Sequence, residues 1–590
     1  MATVEQAAKG GAWLLEEPAA AIFTPERTSD EHRLMAQTTE AFMNAEVMPN
    51  LGRLEAKDWA LARTLLRQCG ELGLLGISVP EAYGGLDLDK ASALVVVERI
   101  ARSASFATTY GGQANLCILP LVLFGTEAQK QKYLPSLVSG ETVGAYALSE
   151  SGSGSDALAA RTRATKQADG SWILTGEKMW ITNGGFADVI IVFAKVDGEQ
   201  FTAFIVEKAF PGVSSGKEEH KMGLHGSSTT PILLQEAKVP AENVLGEVGR
   251  GHKVALNTLN YGRFSLGAMC IGGARAAIGD AAKYAAQRKQ FGQAIGGFGA
   301  IKHKLGEMMA RTYAAESLSY RTAGLIDTAL ASTTGDGAAL AGAFEEYAIE
   351  SSIAKVMGSE TLDFVLDENV QIHGGNGFVA DYSAERSFRD ARVNRIFEGT
   401  NEINRLLIPG MLMRRGLKGE LPLIAAAKRL QDEILTPSPA AASFGDSAAL
   451  DDERRSVAAF KKVALMVIGT AMQTYGDKLA DQQELLGYAA DILIETYAAE
   501  SAVLRAGAAA AAGHPRAPLH EAATRTFVND AAQRVEMGAR SALAAMADGD
   551  TLRTLLAALR RVLKVAPINT VALRRQLADA ALAGGGYILS

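Results

Sequence analysis

The sequence predicts a mostly α-helical protein with a small β domain set between helical ones. Three observations carry this. Apolar residues recur three and four apart from about Ser29 to Gly140, the period drops to two from Tyr146 to about Gly251, and the helical period then returns. At 590 residues the chain exceeds one ordinary core. The expected division is a helical domain over 1–145, a β domain over 146–251, an α-helical bundle over 252–415 and a further helical domain over 416–590.

In the first domain Trp59-Ala60-Leu61-Ala62-Arg63-Thr64-Leu65-Leu66 shows the helical spacing. Pro80-Glu81-Ala82-Tyr83-Gly84-Gly85 and Phe124-Gly125-Thr126-Glu127 break the helices, and Thr126 offers a cap to the one that follows. In the β domain the runs 171–174, 189–193, 201–206 and 232–234 read as strands, with Asp169-Gly170 and Asp197-Gly198 as hairpin turns. Four long amphipathic stretches come next, His252 to Arg288, Ala300 to Ala331, Ala338 to Gly374 and Ser383 to Val393, and they imply a bundle. Gly416 to Pro422 is the linker candidate, followed by a polar stretch near Thr436 to Ala442. Ala-rich helices then run to Val565, interrupted at Pro515 and Pro518. This last region holds no catalytic motif, so its expected role is packing on the bundle or on a second subunit.

A formal charge of −7 without a basic stripe gives no reason to expect nucleic acid. Cys69, Cys117 and Cys270 are odd in number and far apart, which fits a reducing compartment and no disulfide framework. The apolar stretch Ala12 to Leu15 is too brief for a signal peptide, and no run approaches a membrane span. The expectation is a soluble cytoplasmic protein with membrane contact at most peripheral. His220 and His225 are loosely spaced and His373 is isolated, so no metal is assigned.

The chemistry centres on Arg395-Ile396-Phe397-Glu398-Gly399-Thr400-Asn401-Glu402-Ile403-Asn404-Arg405. A carboxylate packed against Ile396 and Phe397 is partly desolvated, which raises its pKa towards the working pH of a general base. Gly399 lets a substrate approach the backbone, and the N–H beside Glu398 can meet a developing oxyanion. Thr400 and Asn401 suit the start of the next helix. The alternative is a buried turn whose Glu pairs with Arg395 or Arg405.

Three other stretches stand out. Tyr146 to Asp156 is rich in Ser and Gly, and its backbone N–H groups suit a phosphate or a heterocycle edge, though ordinary turns share that composition. Lys178-Met179-Trp180-Ile181-Thr182-Asn183-Gly184 ends a strand with an indole that suits either a flat cofactor or the sheet core. Arg288-Lys289-Gln290-Phe291-Gly292 and Gln371-Ile372-His373-Gly374-Gly375-Asn376-Gly377 pair a cation at a helix end with a glycine-rich loop, which could hold a pyrophosphate. No strand–Gly-x-Gly-x-x-Gly–helix unit supports a nicotinamide fold.

The order of these segments, together with Asn257 to Arg263, resembles the acyl-CoA dehydrogenase family from end to end. Gly297-Phe298-Gly299 and the C-terminal helical region resemble its very-long-chain branch. The resemblance implies FAD between the β domain and the bundle, with Glu398 removing the α proton of an acyl-CoA thioester as hydride leaves the β carbon for the flavin. It places Tyr146, Leu148, Ser149, Gly154, Ser155, Trp180, Ile181 and Thr182 at the flavin, with Ser155 also at the CoA. It sends Arg288, Phe291, Gln371, Ile372, Gly374 and Gly375 to the FAD of a neighbouring subunit, and Thr400 and Glu402 to the adenine-nucleotide end. Asn260, Arg263, Phe397 and Gly399 are implied substrate contacts. One branch of the family carries its base just before the position of Arg263, and here that residue is Gly262.

The implied function is dehydrogenation of long-chain acyl-CoA in fatty-acid β-oxidation by a homodimer that passes electrons to an electron-transfer flavoprotein. Cys117 and Pro120 stand where open-tunnel members tend to have glycine, and this predicts a shorter pocket than the branch resemblance does. An acyl-CoA oxidase and a non-catalytic assembly protein share the fold. Glu398, Gly399 and Ser155 argue against the second.

Overall fold

The computed structural model describes residues 8–16, 21–332, 337–435 and 450–589. The polar stretch expected near 436–442 lies outside them. The N-terminal domain contains α1 (Asp30–Phe42), α2 (Leu51–Glu55), α3 (Trp59–Glu71), α4 (Lys90–Ile100), α5 (Ala104–Gly111), α6 (Leu119–Phe124) and α7 (Glu127–Val138). Thr126 caps α7 as its sequence suggested, in a capping box with Gln129.

The middle domain is a mixed sheet of β1 (Gly144–Ala147), β2 (Arg163–Lys166), β3 (Trp172–Thr182), β4 (Val189–Val196), β5 (Gln200–Glu207), β6 (Val213–Ser215), β7 (Thr229–Val239) and β8 (Val244–Leu245). Its order is β6-β7-β3-β2-β4-β5-β8, with β1 pairing parallel to β4. The two Asp-Gly pairs join β2 to β3 and β4 to β5 in antiparallel hairpins. The apolar run in β4 is buried throughout.

The bundle contains α8 (Gly251–Gln287), α9 (Gly299–Ala331), α10 (Gly337–Glu346), α11 (Ala348–His373), α12 (Ser383–Ala391) and α13 (Asn401–Leu417). The stretch expected to run unbroken from Ala338 to Gly374 is two helices, α10 and α11, parted at Tyr347. The C-terminal domain adds α14 (Leu423–Leu435), α15 (Asp451–Tyr475), α16 (Gln483–Ala511), α17 (Ala517–Met546), α18 (Gly549–Val562) and α19 (Thr570–Gly584). Helical structure thus continues past Val565, where the sequence pattern ended.

The segment 451–481 is long and apolar enough to cross a membrane, contrary to the sequence reading. Its apolarity has a second use. Phe460, Val463, Val467 and Ile468 belong to one core that joins the bundle to the C-terminal domain. The N-terminal segment is tied into that core as well. Gly11 N–H and Trp13 Nε1 donate to buried Glu350 at 2.7 and 3.0 Å, and Trp13 packs on Tyr497 of α16.

Candidate active site

The Glu398 turn lies where a short 3-10 turn, Arg392–Arg395, gives way to α13. Thr400 caps α13, its hydroxyl accepting from the Ile403 N–H at 3.2 Å. Between them Glu398 and Gly399 both adopt the left-handed conformation, at φ 57° and 76°. For Glu398 this is a strained geometry that its surroundings must hold. Arg263 Nε of α8 donates to the Glu398 carbonyl at 3.2 Å, and Lys355 Nζ of α11 donates to the Gly399 carbonyl at 2.8 Å. Asn404 Nδ2 donates to the Gly399 and Thr400 carbonyls at 2.9 and 3.0 Å. Among the described residues the Glu398 N–H finds no acceptor, so it is free to meet a ligand.

The Glu398 side chain lies against α8. A Cβ on Gly262 would stand 2.7 Å from Oε2, so the glycine leaves the space that the carboxylate fills. Among the described residues Oε2 is buried and has no hydrogen-bond partner. Burial pushes the Glu398 pKa up to about 7, against the pull of Arg263 and Lys355. Of the two residues expected to dry it, Ile396 is 51% exposed and Phe397 half-buried, and α8 closes on the carboxylate at Gly262. The ion-pair alternative also fails, because Arg395 pairs with Asp363 at 3.0 Å and Arg405 pairs with Glu360 and Asp491, each at 2.7 Å.

Asn260 and Arg263, expected on the CoA side, are buried and bonded to one another at 2.9 Å. They support the Glu398 turn from behind. Tyr146 on β1 reaches the same region, and among the described residues its buried hydroxyl has no partner; burial, with the Glu398 charge, pushes its pKa well up.

A second set of residues, the candidate cofactor cradle, lies on the loop after β1 and at the end of β3. Leu148 is buried, and the Ser149 carbonyl accepts from the Met179 N–H at 2.9 Å, which ties the loop to β3. Two residues overlooked in the sequence hold that loop. Fully buried Lys178 donates to the Leu148 carbonyl at 3.1 Å and to Glu150 at 2.7 Å, and Glu150 also takes the Thr162 hydroxyl at 2.6 Å. Lys178 shares the inward phase of Trp172 and Leu174, and a lysine in that phase was the available signal. Beyond Glu150 the loop opens: a Cβ on Gly154 would meet nothing within 4 Å, and Ser155 is exposed. Trp180 does not enter the sheet core. The register of β3 against β7 shifts between Lys178 and Ile181, and Trp180, at φ 58°, is 57% exposed, while Ile181 is buried and Thr182 half-buried.

The third set lies elsewhere. Arg288 ends α8, and a two-stranded hairpin of β9 (Lys289–Gln290) and β10 (Gln293–Ala294) lifts Phe291 to its tip at 93% exposure. Beside it α11 ends at His373, which stacks on Tyr284 of α8 at 4.1 Å. Gln371 is exposed and Ile372 buried, and Gly374 and Gly375 form an open loop in which added Cβ atoms would meet nothing within 4 Å. Arg288 is about 39 Å from Gly262 along α8, at 1.5 Å per residue. One chain therefore does not bring this patch to its own Glu398. Glu402, in the first turn of α13, is exposed beside Thr400.

Family models match four segments: "Acyl-CoA dehydrogenase, N-terminal domain" over 29–141, "middle domain" over 145–237, and two models titled "Acyl-CoA dehydrogenase, C-terminal domain" over 249–412 and 459–561. A probable acyl-CoA dehydrogenase of Bacillus subtilis (strain 168) is 48% identical over 577 residues, 97% of each chain. The human mitochondrial very long-chain specific acyl-CoA dehydrogenase is 36% identical over 497 residues, 79% of this chain and 73% of that one. Among solved structures, an acyl-CoA dehydrogenase from Bacillus anthracis complexed with FAD superposes with a TM-score of 0.96 at 47% identity, covering 99% of this chain and 100% of that one. The family models and the whole-chain likeness agree: this chain belongs to the acyl-CoA dehydrogenase family.

Proposed function

We propose that the protein is an FAD-dependent dehydrogenase that converts long-chain acyl-CoA thioesters to trans-2-enoyl-CoA in fatty-acid β-oxidation and passes the electrons to an electron-transfer flavoprotein. The observation that carries this reading is the half-buried Glu398, whose Oε2 is buried and without a partner among the described residues, on a turn whose own N–H is free among them. The residues of the cradle fit FAD. Trp180 offers an exposed ring face, Tyr146 a buried hydroxyl without a partner among the described residues, and Gly154 an open approach to backbone N–H groups on a loop held by Lys178 and Glu150.

Bound FAD supplies the acceptor for the hydride that leaves the substrate β carbon. The chain itself handles the proton and the developing charge. Glu398 takes the α proton, and a pKa near 7 suits it to do so at neutral pH. Its N–H donates to the thioester carbonyl oxygen, where negative charge grows as the proton leaves. Gly399, lacking a side chain, admits the thioester, while Arg263, Lys355 and Asn404 keep the turn from relaxing.

On α8, Gly262, Leu266, Met269 and Gly273 recur on one face at helical spacing, and Met269 and Gly273 border a cavity of about 520 Å³ that Thr108, Glu98, Arg99 and Arg275 also line and that does not include Gly262 or Glu398. The long-chain part of the reading is supported by the 36% identity to the human very long-chain specific relative. Cys117 packs on Gly144 of β1, Pro120 is buried in the N-terminal domain, and neither lines the cavity.

The Phe291 hairpin and the Gly374–Gly375 loop support a homodimer in which each copy completes the other's FAD site, since a 93% exposed Phe gains from cover by a second copy. The deciding experiment is kcat/KM with an artificial acceptor over a series from butanoyl- to stearoyl-CoA. A gain of up to about 0.8 kcal/mol per methylene into the long-chain range is expected. An optimum at short chains overturns the length assignment. Peroxide formation in air by substrate-reduced enzyme overturns the choice of electron acceptor.

A further inference from the structure

An unbroken run of hydrogen bonds joins the base turn to the C-terminal domain. Lys355 Nζ donates to the Gly399 carbonyl at 2.8 Å and to Asn401 Oδ1 at 2.6 Å. Asn401 Nδ2 donates to Glu360 Oε1 at 2.9 Å, and Glu360 takes Arg405 in two bonds at 2.7 and 2.9 Å. Arg405 Nε then donates to Asp491 Oδ1 at 2.7 Å. Lys355 and Glu360 belong to α11, Asn401 and Arg405 to α13, and Asp491 to α16, so the run crosses from the bundle into the C-terminal domain.

Lys355 is fully buried, an environment that opposes a cation unless its protons are bonded. Two of those bonds go to the base turn and its helix, and none to the carboxylate. The hold on the Gly399 carbonyl fixes the peptide plane that ends the strained Glu398-Gly399 pair. The charged and titratable groups that bear on Glu398 come from three elements: Arg263 from α8, Lys355 from α11 and the Tyr146 hydroxyl from β1. Lys355 is one of the two cations among them.

We propose that Lys355 is a positioning residue for Glu398, and that Asp491 of the C-terminal domain holds it in register through Arg405, Glu360 and Asn401. This rests on Glu398 being the base. The C-terminal domain then has a part in the reaction beyond packing.

The test compares FAD-loaded wild type, K355M, K355R, D491N and K355M/D491N in steady state, beside an infrared pH titration of the protonated-carboxyl band that E398Q lacks. K355M should lose about tenfold in kcat, the scale of a slightly misplaced group, with KM little changed. Its acid limb and its carboxyl titration should both move to higher pH, because a cation that favoured the ionised form is gone. K355R should recover part of both. D491N should lose a few fold, and that loss should vanish in the K355M background, as expected for residues acting through one another. Wild-type kcat and carboxyl titration in K355M overturn the role of Lys355, and an undiminished D491N loss in K355M overturns the link to the C-terminal domain. If K355M fails to fold, K355R carries the same test: an unmoved titration with unmoved kcat there overturns the proposal. Full activity in E398Q would instead overturn the base assignment, so the two failures are told apart.

Discussion

Glu398→Gln should stabilise the fold as it abolishes the reaction. The carboxyl keeps its proton up to about pH 7 in the folded protein, against a usual value of 4.5. Between those values the folded chain binds more protons than the unfolded one, so this group lowers stability as pH rises, fully above pH 7 and not at all below 4.5. A shift of that size corresponds to at most about 3 kcal/mol. Glutamine does not titrate and escapes the penalty, although its amide must find partners in the same dry site. Urea unfolding of FAD-saturated wild type and E398Q at pH 5, 6, 7 and 8 should show a stability gap that widens with pH and then levels. Flavin reduction by acyl-CoA should fall by about 10²-fold or more, since the amide accepts no proton and Gly262 offers no second base. In wild type, kcat/KM should drop about tenfold per unit below pH 7. A gap of equal size at pH 5 and pH 8 would show that the carboxylate is not dried, and near-normal flavin reduction in E398Q would sink its assignment as the base.

Gly262→Ala should separate geometry from stability. The Glu398 oxygen, 2.7 Å from the new Cβ, must retreat by about 0.7 Å to reach the ordinary 3.4 Å contact, so kcat should fall by up to about tenfold. The melting temperature should hold or rise, because Ala is about 1 kcal/mol better than Gly inside a helix; unchanged kcat would mean that the side chain can turn aside freely. Arg288→Ala should weaken FAD binding and dimerisation together, measured by flavin release and sedimentation velocity, and a monomer that retains FAD would refute the shared site.

Much of the architecture was legible because local pattern reports it. The change from a period near four to a period of two and back marked the three N-terminal domains. Asp169-Gly170 and Asp197-Gly198 marked two hairpins, and Thr126 and Thr400 marked caps, since each depends on residues adjacent in the chain. Glu398 and Gly399 could be singled out for the same reason.

What the sequence could not decide depends on contacts between distant segments. Alternation along β3 counts Trp180 as inward, and only the shifted register against β7 turns it out to solvent. The α8 residue that closes on the Glu398 carboxylate is Gly262, which is 136 residues away and has no side chain to advertise the contact. The turn is held by Arg263, Lys355 and Asn404, which look like ordinary helix residues until three helices bring them together. Length, composition and periodicity determined that this chain folds as helices around a sheet, because those are properties of neighbouring residues. Tertiary packing decided that the Glu398 carboxyl is pushed up to about 7, because a pKa is set by what surrounds the group in space.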